Sequence, residues 1–141
     1  KWIKKEYLKL PDNFEKYKVV VPKSNGSGHF GESLSSPFVA TPFHAQNTTF
    51  LSIGKFDSLF EAEACLKYMK TKFARCLLSI LKVTQDNPKG VWTNVPLQKF
   101  TQQADINWNL SINEIDKALY KKYDLTQDEI EFIESNVSAM E

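Results

Sequence analysis

The chain has 141 residues, 42% of them apolar and 25% charged, with a formal net charge of +1. That size and balance predict one domain, residues 1–141, with a real core, and argue against wholesale disorder. No run of about 18 apolar residues exists, which excludes a membrane-spanning helix of ordinary length.

The near-neutral total conceals an asymmetry. Residues 1–104 hold 15 Lys and Arg against 8 Asp and Glu, a net of +7, and residues 105–141 hold 3 Lys against 9 Asp and Glu, a net of −6. A basic body, 17–104, followed by an acidic tail, 105–141, favours an anionic partner for the body.

Lys1–Lys9 mixes Trp2, Ile3, Tyr7 and Leu8 with lysines and reads as a short helix ended by Pro11-Asp12-Asn13. It is too charged for a secretory signal, and with no initiating Met the chain reads as a piece of a longer protein. Tyr17–Pro22 (YKVVVP) is a strand by its β-branched run and closing proline. Lys23–Gly31 is a polar, glycine-rich loop. Ser36–Phe43 predicts an edge strand, because Pro37 and Pro42 cannot donate to a ladder. Thr48–Ile53 predicts a further strand closed by Gly54.

Ser58 and Glu61 form a capping box that opens a long helix over Asp57–Lys82, ending near Thr84–Pro88. At about 100° per residue, Ala62, Cys65, Leu66, Met69, Phe73, Cys76, Leu77 and Ile80 fall on one side. Lys67, Lys72, Arg75 and Lys82 fall roughly opposite, with Lys70 at the flank. Cys65 and Cys76 lie about 16 Å apart along such a helix, too far for a disulfide, and read as buried apolar residues that suit a reducing cytoplasm. Val91–Val95 reads as a strand and Pro96-Leu97 as the start of an irregular segment. Capping boxes at Ser111/Glu114 and Thr126/Glu129 open two short helices. The expected fold is α+β: a small mixed or antiparallel sheet packed on one long helix, followed by a short helical C-terminal tail.

Catalytic signatures are missing. His29 and His44 are the only histidines, without thiol or carboxylate companions at metal-ligand spacing. No Asp or Glu stands two residues before a lysine, so the Pro-Asp…Glu-x-Lys nuclease pattern is absent. Asn87-Pro88 is followed by Lys89-Gly90, not by the Pro-aromatic pair that grips a flipped adenine. Gly26-Ser27-Gly28 has neither dinucleotide nor P-loop spacing, and no nucleophile elbow is visible.

What remains is binding chemistry. Lys23, Ser24, Asn25, Ser27 and His29 place hydrogen-bonding groups on one loop, suited to base edges in a DNA groove, with His44–Asn47 as a second candidate. Lys67, Lys70, Lys72, Arg75 and Lys82 are candidates for phosphate contact. Both features also have an ordinary reading, as a solvated connection and as a solvated helix face.

The succession YKVVVPKSNGSG, TTFLSIGKF, EAEACLKYMKTKFARCLLSILKVTQDN, VWTNVPLQKFT and DINWNLSINEIDKALYKKYDLTQDEIEFIE resembles the C-terminal region of adenine-specific DNA methyltransferases. Restriction-modification enzymes of the Eco57I type are the nearest in pattern. The resemblance runs from about Tyr17 to Glu134. It is carried most by Tyr68-Met69-Lys70-Thr71-Lys72-Phe73, Val95-Pro96-Leu97-Gln98, Leu119–Tyr123 and Glu129–Glu134.

It implies a target-recognition part that holds double-stranded DNA for a catalytic domain elsewhere in the same parent chain, in the cytoplasm. This fragment would then hold no cofactor, and S-adenosylmethionine would belong to that other domain. The acidic tail, repelled by DNA, would pack on the core or on that other domain, with Leu119, Tyr120, Phe132 and Ile133 as anchors. The competing expectation is a protein-interaction or scaffold domain docking through the acidic tail.

Overall fold

The computed structural model describes residues 2–7, 9–24, 28–32, 34–81 and 89–140. The expected α+β class holds, and the sheet is antiparallel throughout. Strands β1 (Tyr17–Pro22), β2 (Phe38–Ala40) and β3 (Phe50–Phe56) stand in the order β2-β1-β3. Lys18 to Val21 are all buried in the central strand. A strand covered on both faces has no reason to alternate polar and apolar residues. Val19 and Val21 enter the main core with Ala64, Cys65 and Met69. Successive side chains leave opposite faces of a strand, and on the other face Lys18 Nζ donates to the carbonyls of Asn13 (3.1 Å) and Phe14 (3.4 Å).

The edge strand β2 is shorter than its sequence suggests. Pro37 and Pro42 flank it, and Ser36 (φ 44°) and Phe43 (φ 65°) turn the chain away on either side. β3 runs the other way, past the expected stop at Gly54. Gly54 has φ +81°, and a Cβ there would lie 2.1 Å from the Phe56 ring. Glycine is therefore required for the strand to continue through that point.

The expected long helix is two helices, α1 (Leu59–Lys70) and α2 (Lys72–Leu81). The break is at Thr71, with φ −60° and ψ 149°. Its hydroxyl donates to Tyr68 O (2.6 Å) and accepts from Ala74 N (3.1 Å), so one residue closes α1 and opens α2. The first two amides of α2 are taken by Asp116: Lys72 N reaches Oδ2 at 3.0 Å and Phe73 N reaches Oδ1 at 2.9 Å. The break shifts the helical phase, which corrects the apolar stripe. Ile80, expected inside, is 58% exposed, while Ala74 and Leu78 are buried. Lys82 and the expected helix end at Thr84–Pro88 lie outside the described residues.

Residues Lys89–Asn94 form a 3-10 turn packed on α2, not the expected strand at Val91–Val95. Val95 N donates to Trp92 O at 3.0 Å, a local bond in place of a ladder. Among the described residues near the N-terminus, Lys5–Tyr7 alone is helical, as an exposed 3-10 turn. Helices α3 (Ile112–Lys122) and α4 (Gln127–Asn136) open at the expected capping boxes, as α1 does. The tail packs on the body through Ile115, Leu119, Tyr120, Ile133 and Val137, all in the core. Phe132, expected as an anchor, is 51% exposed. Both cysteines are buried and free. No helix among the described residues is long and apolar enough to cross a membrane.

Candidate functional site

Four of the five helix cations line one cavity of about 490 Å³. Lys67, Lys70, Lys72 and Arg75 form one side of it, the N-terminal residues Ser111, Ile112 and Asn113 of α3 another, and Asp116, Glu134, Ala139 and Met140 complete it. The Thr71 break makes this possible. It bends the cationic side of α1 and α2 around the start of α3 instead of leaving it as a straight exposed stripe.

The cations are not equivalent. Arg75, read from the sequence as a phosphate contact, is 3% exposed. Its guanidinium donates to Lys70 O (Nε, 3.1 Å), Gly31 O (Nη1, 3.0 Å) and Ser138 O (Nη2). A planar guanidinium with five fixed donors suits such a junction, and burial lowers its pKa from the ordinary value. Arg75 is thus a tie between segments, and the expectation of a phosphate-facing arginine is corrected.

Lys67 Nζ donates to Trp108 O (2.9 Å) and Leu110 O (3.1 Å), pinning the approach to α3. Lys72 pairs with Glu134, whose other oxygen accepts from Tyr120 OH at 2.9 Å. Burial pushes the Glu134 carboxyl up, but the bonds from Lys72 and Tyr120 outweigh it and leave the group below the usual range. Asp116 shows the opposite balance: burial raises its pKa against the two backbone amides that it accepts. Lys67, Lys70 and Lys72 are all half-buried, Lys67 on backbone carbonyls and Lys72 in its ion pair with Glu134.

The loop candidates are not part of the cavity lining. Lys23, Ser24 and His29 are exposed. Asn25 and Ser27 fall outside the described residues. Lys23 N donates to Thr49 O at 2.9 Å, and Asn47 Oδ1 accepts from Thr49 N at 3.1 Å. The base of the glycine-rich loop and the end of the His44–Asn47 segment therefore meet at one end of the sheet, beside the β1–β3 pair Pro22/Phe50. His44 is exposed and packs edge-on against Phe38, with ring centroids 6.0 Å apart.

The loop's far foot, Gly31, is where the two candidate regions connect. Its carbonyl accepts from Arg75 and its amide donates to Ser79 Oγ at 2.9 Å. Sequence reasoning missed Gly31, Ser79 and Asp116. For Asp116 a signal existed, since a carboxylate beside Ile115 and Leu119 on the buried side of α3 needs donors from elsewhere. Ser79 and Gly31 gave none.

No group of three His, Cys, Asp or Glu among the described residues is arranged to hold a metal ion. A second, apolar cleft of about 320 Å³ lies between β3, α1 and the segment after the 3-10 turn, lined by Leu51, Tyr68, Met69, Trp92, Leu97 and Phe100 among others. It offers hydrophobic surface and no charged side chain. No family model, curated protein or solved structure matches the chain.

Proposed function

We propose that this chain is a DNA-binding target-recognition module of a restriction-modification adenine-N6 DNA methyltransferase, positioning duplex DNA for a catalytic domain that lies outside it. Transfer of a methyl group from S-adenosylmethionine would belong to that domain, and this chain supplies binding and orientation only. The resemblance of its long sequence pattern motivates the reading. The observation that carries it is the cationic cavity: four cations against Asp116 and Glu134 leave a net charge of +2 around one opening. Arg75 ties that cavity to the loop proposed to read bases.

In this reading Lys70 and Lys72 contact phosphates, which fixes position without reading sequence. The base-reading groups are Lys23, Ser24, Asn25, Ser27 and His29 of the loop, whose base at Lys23 is tied to the sheet end. Lys67 and Arg75 shape the site and do not touch DNA.

The test is duplex binding by the double variant Lys70→Gln/Lys72→Gln, measured by fluorescence anisotropy across a salt series. Two lost phosphate contacts should lower the magnitude of the slope of log K against log salt by about 1.8 and weaken binding about tenfold or more at low salt. A variant that binds like the parent would remove the cavity from the DNA surface.

A further inference from the structure

The glycine-rich loop is fastened at one residue by two side chains of α2 one turn apart. Ser79 Oγ accepts from Gly31 N at 2.9 Å and itself donates to Arg75 O at 2.8 Å. Arg75 Nη1 donates back to Gly31 O at 3.0 Å. Both backbone groups of a buried loop residue are thus satisfied by one helix, which fixes where the loop leaves the body. The same guanidinium holds the C-terminal segment through Ser138 O.

That segment is also pressed on Gly31 directly. Gly31 has φ +82°, and a Cβ there would lie 2.9 Å from Asn136 O and 3.0 Å from Val137 Cα. Phe30 packs edge-on against Phe132 of α4, with centroids 5.7 Å apart. Beyond Ser138, Ala139 and Met140 form part of the wall of the cationic cavity. One cluster therefore joins the loop foot, the end of α4 and the proposed phosphate site.

We infer that Arg75 and Ser79 are positioning residues for the recognition loop, and that residues 137–140 latch the loop foot and wall the cavity together. The consequence is coupling. A loop held at Gly31 leaves the body at one fixed point, and whatever displaces the C-terminal segment releases that foot and opens the cavity in the same event. This rests on the proposed DNA-binding role only for its use; the latch itself is a property of the fold.

The test combines hydrogen exchange and duplex binding in the full chain. In Ser79→Ala the Gly31 amide loses its acceptor and should exchange about three- to tenfold faster, from the size of one such bond. Amides of β1 should keep their rates, and Ser79→Thr, which keeps the hydroxyl, should restore protection at Gly31. In the parent under mild urea, Gly31 and Val137 should open together, below the global unfolding free energy. Gly31 exchanging freely while Val137 keeps global protection would overturn the latch, as would unchanged Gly31 protection in Ser79→Ala.

Duplex affinity separates the two proposals. Ser79→Ala should bind more weakly with an unchanged salt slope, because the phosphate contacts remain. If the parent binds no duplex, the DNA reading fails while the exchange result still decides the latch.

Discussion

Asp116 replaced by alanine is the perturbation that most directly probes how the α1–α2 bend is held. In the parent, both carboxylate oxygens accept backbone amides, Lys72 N at 3.0 Å and Phe73 N at 2.9 Å, on a side chain that is 3% exposed. A hydrogen bond to a charged acceptor contributes about 1.5–3 kcal/mol, so the pair supplies roughly 3–6 kcal/mol before the carboxylate's burial is counted against it. Alanine leaves the opening amides of α2 without their acceptor, and a net loss of about 3 kcal/mol is expected. Asp116→Asn keeps one oxygen but turns an amide nitrogen toward the other N–H, and should cost about 2 kcal/mol.

Urea unfolding followed by circular dichroism reads both as shifts in midpoint at unchanged slope. The Asp116 carboxyl titrates above its ordinary range because of burial, so the folded chain binds that proton more tightly than the unfolded one. Its linkage contribution is full below the unfolded pKa of about 3.9 and is lost as pH rises through the higher folded value. The parent should therefore lose stability relative to Asp116→Asn as pH rises above about 4. A loss in Asp116→Ala below about 0.5 kcal/mol would refute the claim that this carboxylate holds the bend.

Other perturbations follow from the same geometry. Gly54→Ala should cost about 1–3 kcal/mol, read as a lower Tm, since it combines φ +81° with a Cβ 2.1 Å from the Phe56 ring. Glu134→Gln removes the carboxylate paired with Lys72; in the DNA-binding reading duplex affinity should rise about threefold and its salt dependence steepen, and weaker binding would contradict that role. Burial pushes the Cys65 thiol up to about 12 and raises that of Cys76. Neither should react with a disulfide reagent at pH 8 in the native chain, and both should react once it is unfolded.

Local chemistry was legible in the sequence, and long-range chemistry was not. β1 and the three capping boxes stand where spacing and residue type place them, because their determinants lie within a few residues. The helix break at Thr71 was hidden because a lone Thr followed by Ala74 makes no capping box, and the carboxylate that takes the opening amides of α2 comes from 44 residues away. Without that carboxylate, Asp57–Lys82 has the pattern of one continuous helix. The same phase error placed Ile80 inside.

Arg75 was misplaced for a related reason. On a helical wheel it lies among lysines and reads as solvated, whereas its partners Gly31 and Ser138 lie 44 and 63 residues away on other segments. The grouping of Lys67, Lys70, Lys72 and Arg75 was nevertheless readable, and the structure brings the four to one cavity. Only the partners that divide them, backbone carbonyls for Lys67 and Arg75 and Glu134 for Lys72, needed the fold.

The most direct test of the central proposal is equilibrium binding of the intact chain to duplex DNA between about 50 and 300 mM salt. Measurable binding is expected at the low end, with a linear fall of log K against log salt whose slope is at least about 1.8 in magnitude, from the two lysine–phosphate contacts. No binding at the lowest salt, or an affinity that does not change across the series, would contradict it.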